Sequence, residues 1–127
     1  MSGIYTLKVL NEIAASHIIE GHSGKCARLH GHNWKIEVEV QCSQLDELGM
    51  GIDFQDLKHE VAAVTEPLDH RHLNDLPGFA DCNPTAENVA AYVYREVGKR
   101  INRDGLRISA VTIWETSRAS VQYSENA

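Results

Sequence analysis

Four of the seven histidines, His17, His22, His30 and His32, crowd into one short stretch, and His70 and His72 form a second pair. A neutral imidazole is a metal ligand, and residues i and i+2 of a strand project to the same side. His30 and His32 have that spacing, with Gly31 expected to remove a side chain from between them. His17 falls at the end of the preceding alternating stretch, on the core-facing parity. Antiparallel pairing of the two stretches across residues 18–29 would set it beside His30 and His32. Three neutral imidazoles with a fourth position open describe a catalytic zinc site, and imidazoles favour zinc among the divalent metals. Two other readings fit the same residues. The histidines could hydrogen-bond only locally, or a structural zinc could staple the sheet with Cys26 as a closing fourth ligand.

These side chains need a sheet to hold them. Tyr5, Leu7, Val9, Ile13 and Ala15 alternate with Thr6, Lys8 and Glu12, broken only at Leu10 and Asn11. The alternation over His30–Cys42 is the clearest in the chain: Trp34, Ile36, Val38 and Val40 share the histidines' parity, and Lys35, Glu37 and Glu39 take the other. Period two marks both as half-buried strands. Asp53 can cap a helix carrying Phe54, Leu57, Val61 and Val64 at helical spacing, and Pro67 stops it before Leu68-Asp69-His70. Asn83-Pro84-Thr85 opens a second helix, with Thr85 as cap and Val89, Val93, Val97 and Ile101 as its stripe, ending at Arg103-Asp104-Gly105. Residues 106–115 and 118–123 read as a hairpin about Thr116-Ser117. The order ββααββ predicts an α+β fold: a four-stranded, largely antiparallel sheet with two helices on one face. The bare face and exposed edges invite pairing between copies, so a homo-oligomer is expected.

A length of 127 residues fits one domain spanning 1–127, large enough to bury a core without disulfides. A formal charge of -6 with no basic run argues against nucleic acid or a membrane surface as partner. No apolar segment is long enough to cross a bilayer. The N-terminal MSGIYTLKVL lacks the charged and apolar regions of a signal peptide. Three cysteines, Cys26, Cys42 and Cys82, form no even disulfide framework. A cytoplasmic location is expected on both counts.

Several motifs in register carry a family resemblance. Ala14-Ala15-Ser16-His17, then Cys26-Ala-Arg-Leu-His30-Gly-His32-Asn-Trp34, Gly51-Ile-Asp53-Phe54, Leu68-Asp69-His70, Asn83-Pro84-Thr85-Ala86-Glu87-Asn88 and Trp114-Glu115-Thr116 run in order along nearly the whole chain. Together they resemble the 6-pyruvoyltetrahydropterin synthase family. The resemblance implies the tunnelling fold, assembled as a homohexamer of two trimers with active sites between subunits. Within the family, the three residues between Cys26 and His30 look like the bacterial queuosine-pathway branch, which forms 6-carboxytetrahydropterin. The tetrahydrobiopterin branch usually has a longer gap, and Cys26 excludes the branch that carries glutamate in its place.

The resemblance also assigns roles. His17, His30 and His32 are implied to bind Zn2+. Thiols beside a divalent cation and imidazoles ionise readily, which makes Cys26 the implied base. Asp69 and His70 form the second acid–base element, a carboxylate fixing an imidazole's tautomer. Glu115 is implied to anchor the pterin through two parallel hydrogen bonds. Thr85 and Glu87 match a substrate-contacting segment, although Thr85 also reads as a helix cap. The implied substrate is 7,8-dihydroneopterin triphosphate. In this acidic chain, Lys25, Arg28 and Arg71 are the candidate cationic rim for its phosphates. The same residues are compatible with 6-pyruvoyltetrahydropterin formation, or with a non-enzymatic zinc-stapled pterin-binding domain.

Overall fold

The structure is a computed structural model that describes residues 3–126. Strands β1 (Tyr5–His17) and β2 (His30–Cys42) form an unbroken antiparallel ladder from Tyr5 opposite Cys42 to His17 opposite His30. β4 (Leu106–Thr116) pairs antiparallel with β2, and β5 (Ala119–Tyr123) with β4. The sheet has a fifth, two-residue strand, β3 (Arg71–His72), which runs parallel to β1 and gives the order β3-β1-β2-β4-β5.

The sheet is therefore mixed and five-stranded, not four-stranded and antiparallel. The segment after Pro67 docks on the free edge of β1. The His70 N–H donates to the Ala14 carbonyl at 2.6 Å, and Asp69 Oδ1 accepts from the Ala14 N–H at 2.9 Å. Two residues are too few to show a period, which is why the pattern of the sequence gives no sign of this strand.

Helices α1 (Phe54–Thr65) and α2 (Ala86–Ile101) cover one face, α1 packing on β1 and α2 on β4 and β5. Asp53 caps α1 by accepting from the Gln55 N–H, and Thr85 caps α2 by accepting from the Asn88 N–H. The alternating positions close the core as expected: Ile13, Trp34, Ile36, Val38, Val111 and Ile113 pack against Leu57, Val61, Val89 and Val93, all buried. Trp34 is wholly enclosed, and its indole N–H donates to the Ala15 carbonyl at 3.1 Å. Asn11, the polar interruption of the β1 pattern, has a partner under the helices. Its Nδ2 donates to Thr65 Oγ1 at 2.5 Å, and the Thr65 hydroxyl donates in turn to the Val61 carbonyl. A buried amide without that partner would carry a desolvation cost.

Candidate metal centre

The ladder delivers His17 and His30 as cross-strand partners and His32 opposite Ala15, with all three side chains on the helix-covered face where β1 and β2 meet the loop that joins them. Their rings lie 4.4, 5.2 and 4.9 Å apart, centroid to centroid. One nitrogen from each falls within 4.8 Å of the others. His17 is almost fully buried, and His32 is partly so.

Hydrogen bonds fix the protons on two of the rings. His17 Nδ1 lies 2.7 Å from the Pro84 carbonyl, and His30 Nδ1 lies 2.7 Å from the Arg28 carbonyl. A carbonyl only accepts, so each Nδ1 carries the hydrogen and each Nε2 keeps its lone pair. Among the described residues, three buried side-chain atoms lack any hydrogen-bond partner, and two of them are His17 Nε2 and His32 Nε2. The third, Trp114 Nε1, precedes Glu115 on β4. Buried polar atoms in folded proteins are normally satisfied, so paired orphans at one point call for a ligand. Burial holds the pKa of His17 below its ordinary value, with the neighbouring histidines adding to the effect, and burial lowers His32 likewise. Both rings are thus kept in the neutral form that a metal requires. The donor set fits a zinc ion.

A backbone carbonyl thus stands behind two of the three rings, at His17 and His30, the support that orients a histidine toward a metal. No sulfur belongs to the cluster. Cys26 sits half-buried in the short 3-10 turn Lys25–Ala27, outside it, so the four-ligand staple gains nothing from the geometry. Gly31 does not clear space between the ligands as expected from the sequence. It lies in regular register opposite Ser16 on the other face, where an added Cβ would meet nothing closer than the Ala15 carbonyl at an ordinary 3.5 Å.

Glu115 occupies an irregularity of the β4–β5 pairing, between Trp114 and Thr116. Its Oε1 reaches to 3.5 Å from His32 Nε2, so this carboxylate borders the histidine cluster. Asp69 and His70 contact each other, with Nδ1 of the ring 3.0 Å from Asp69 Oδ1. The Ala14 N–H, and to a lesser degree His70, hold the Asp69 carboxyl below its usual range. His70 has a φ of 58°, in the left-handed region that non-glycine residues seldom occupy. The docking of its N–H on Ala14 holds it there. Its ring is exposed and, with Ser16, Gly31, His32, Arg71 and His72, lines an open depression of about 460 Å³. Among the described residues, no hydrogen bond or ion pair joins Asp69 or His70 to Cys26 or Glu115.

Thr85 serves as the α2 cap, and Glu87 is exposed in the first turn of that helix, where its charge complements the helix dipole. Lys25, Arg28 and Arg71 are all exposed, and of these only Arg71 borders the depression. His72 bonds Ser16 Oγ at 3.0 Å on the face away from the helices. The Pro84 carbonyl was not foreseeable as a supporting group, because a backbone oxygen leaves no mark in residue type.

The family model described as 6-pyruvoyl tetrahydropterin synthase matches residues 6–126. A 6-carboxy-5,6,7,8-tetrahydropterin synthase of Synechocystis is 36% identical over 114 residues, covering 86% of this chain and 84% of that one. The Haemophilus influenzae protein of the same name is 31% identical over 134 residues, covering 87% and 92%. The solved 6-pyruvoyl tetrahydropterin synthase of Caenorhabditis elegans superposes with a TM-score of 0.86 at 29% identity, covering 98% of each chain.

Proposed function

The chain belongs to the 6-pyruvoyl tetrahydropterin synthase family and is one of its enzymes, and on that premise we propose that it is a zinc-dependent lyase. Its substrates are 7,8-dihydroneopterin triphosphate and one water, and its products are 6-carboxy-5,6,7,8-tetrahydropterin, acetaldehyde and triphosphate, on the route to queuosine and other 7-deazaguanines. The observation that carries this reading is the convergence of three imidazole nitrogens, two of them buried orphans, with no sulfur among them. The relatives named for the carboxy product support the choice of reaction.

His17, His30 and His32 hold Zn2+ in this reading. A zinc ion bound there supplies Lewis acidity to the substrate side chain, easing loss of protons from its hydroxyl and C–H groups. Cys26 takes and returns a proton at its sulfur. The Asp69 carboxylate holds the Nδ1–H of His70, which leaves Nε2 of that ring to relay the second proton. Glu115 accepts two parallel hydrogen bonds from the N–H and exocyclic amine of the pterin. Thr85 and Glu87 belong to the segment assigned to substrate contact, and Arg71, Lys25 and Arg28 to the phosphate rim.

Asp69 and His70 share no hydrogen bond with Cys26 within one chain, and that separation suits sites completed by a neighbouring subunit. The assembly proposed is a hexamer of two trimers, built from a single domain over residues 1–127 and working in the cytoplasm. No helix among the described residues is long and apolar enough to cross a membrane.

The second reading is 6-pyruvoyltetrahydropterin formation, favoured by the likeness to the Caenorhabditis elegans structure. It eliminates triphosphate but keeps the whole side chain. Incubation of the zinc-loaded protein with dihydroneopterin triphosphate separates the two: acetaldehyde released in step with triphosphate is the expected result. Triphosphate without acetaldehyde would establish the second reading instead.

A further inference from the structure

Two asparagines outside the histidine cluster grip the segment that leads from His17 to Cys26. Asn74 Nδ2 donates to the Ile18 carbonyl, and its Oδ1 accepts from the Ile18 N–H, both at 2.9 Å. Asn83 does the same for Glu20, both bonds at 3.0 Å. Each amide presents the donor–acceptor pair that a residue of a neighbouring strand would present.

The hydrogen bonds of residues 18–20 alternate as those of a strand do, up to the turn in which the His22 N–H donates to the Ile19 carbonyl. Residues i and i+2 turn their backbone groups to one edge, and the residue between turns its own to the other. Ile18 and Glu20 meet the two asparagines on one edge. Ile19, between them, donates its N–H to the Cys26 carbonyl at 2.8 Å. The hydrogen bonding of β1 thus continues past His17, with side-chain amides standing in for a strand, and Cys26 is seated on the opposite edge.

Both asparagines are themselves anchored beside residues of the proposed site. Asn74 lies in the 3-10 turn Leu73–Asp75 that follows Asp69 and His70. Asn83 precedes Pro84, whose carbonyl holds His17, and its own carbonyl accepts from Asn88 Nδ2 and the Thr85 N–H, each at 2.8 Å. Within this segment the Asn83 amide holds the loop, the Pro84 carbonyl holds His17, the Thr85 side chain caps α2 and the Asn88 side chain braces Asn83.

We propose that Asn74 and Asn83 are positioning residues, which fix Cys26 relative to the three-histidine centre by acting as a surrogate strand for residues 18–20. The kinetic consequence rests on the proposed function; the structural consequence does not. Alanine at either position removes donor and acceptor together, whereas Asn83→Asp keeps the acceptor for the Glu20 N–H and sets an oxygen against the Glu20 carbonyl.

The test compares the zinc-loaded protein with Asn74→Ala, Asn83→Ala and Asn83→Asp, following amide hydrogen exchange over residues 18–27 together with kcat, KM and zinc content. Each alanine variant is expected to speed exchange there by about tenfold or more, as a locally opened segment does. It is also expected to lower kcat by about tenfold or more with KM within about twofold, the mark of a misplaced catalytic group rather than lost binding. Zinc content should match that of the parent protein, and Asn83→Asp should fall between parent and alanine. Unchanged exchange and kcat in both alanine variants would overturn the proposal, as would a loss of kcat that tracks loss of zinc. If the parent protein turns over no dihydroneopterin triphosphate, the proposed function fails, and the exchange measurement alone decides the clamp: unchanged protection in both variants overturns it.

Discussion

His17 and His30 face each other as cross-strand partners at the last rung of the β1–β2 ladder, their rings 4.4 Å apart and each Nδ1 bonded to a backbone carbonyl. That relationship makes the candidate metal site a product of strand register. A slip of one residue in either strand would turn its histidines to the opposite face, away from those of its partner.

Replacing any one of the three histidines by alanine should therefore release the metal. His17→Ala, His30→Ala and His32→Ala are each expected to weaken zinc binding by more than ~100-fold, beyond the cost of losing a group that merely supports a ligand. Competition with a chelator of known affinity measures this. Cys26→Ala should keep the parent affinity and lose turnover, because its sulfur lies outside the cluster.

The metal-free protein should lose stability with acid in a definite window. His17 and His32 have pKa values lowered by burial from 6.5. As pH falls below 6.5, the unfolded chain takes up protons at these rings while the folded rings stay neutral, so unfolding gains on folding. This contribution is complete above 6.5 and is lost as pH drops toward the folded values. Denaturant midpoints of the apoprotein at about pH 7.5 and about pH 5.5 check it, and the lower pH should give the lower midpoint. Saturating zinc should flatten the difference until the ligands themselves protonate.

Asp69→Asn should separate geometry from proton control. One oxygen, Oδ1, accepts from the Ala14 N–H and lies 3.0 Å from His70 Nδ1, so the amide oxygen of the variant can keep both contacts while the negative charge that stabilises a protonated His70 is lost. The expected result is a kcat lower by roughly 10²–10³ with zinc content unchanged. A variant with parent kcat would remove Asp69 from the proton relay.

Glu115→Gln keeps the shape of the β4 end and removes the charge beside His32. Loss of a charge-assisted pair of hydrogen bonds should raise KM by about 10- to 100-fold, following the roughly 1.5–3 kcal/mol such bonds contribute. Steady-state kinetics with dihydroneopterin triphosphate read this directly. A kcat effect without a KM effect would assign Glu115 to proton transfer instead.

Much of this architecture is written in period and punctuation. The parity of His30, His32 and Trp34 in β2 declares one inward face, and Thr85 after Asn83-Pro84 declares a helix start, because each rests on a local rule with one dominant solution. Other features obey no local rule. β3 is a two-residue strand set by where Asp69 and His70 bond Ala14, a contact between segments far apart in the chain. Gly31 faces away from the histidines because its place in the register, not its lack of a side chain, decides which face it occupies. The supports at Pro84, Asn74 and Asn83 escape notice because a carbonyl or a half-buried amide looks ordinary until the fold shows its partner.

The central claim concerns what surrounds the zinc, and X-ray absorption at the zinc edge tests it most directly. The account predicts a first shell of nitrogen and oxygen scatterers only, at about 2.0–2.1 Å, with multiple scattering from three imidazoles. A sulfur scatterer at about 2.3 Å would mean that Cys26 closes the site, and would contradict an open catalytic metal held by His17, His30 and His32.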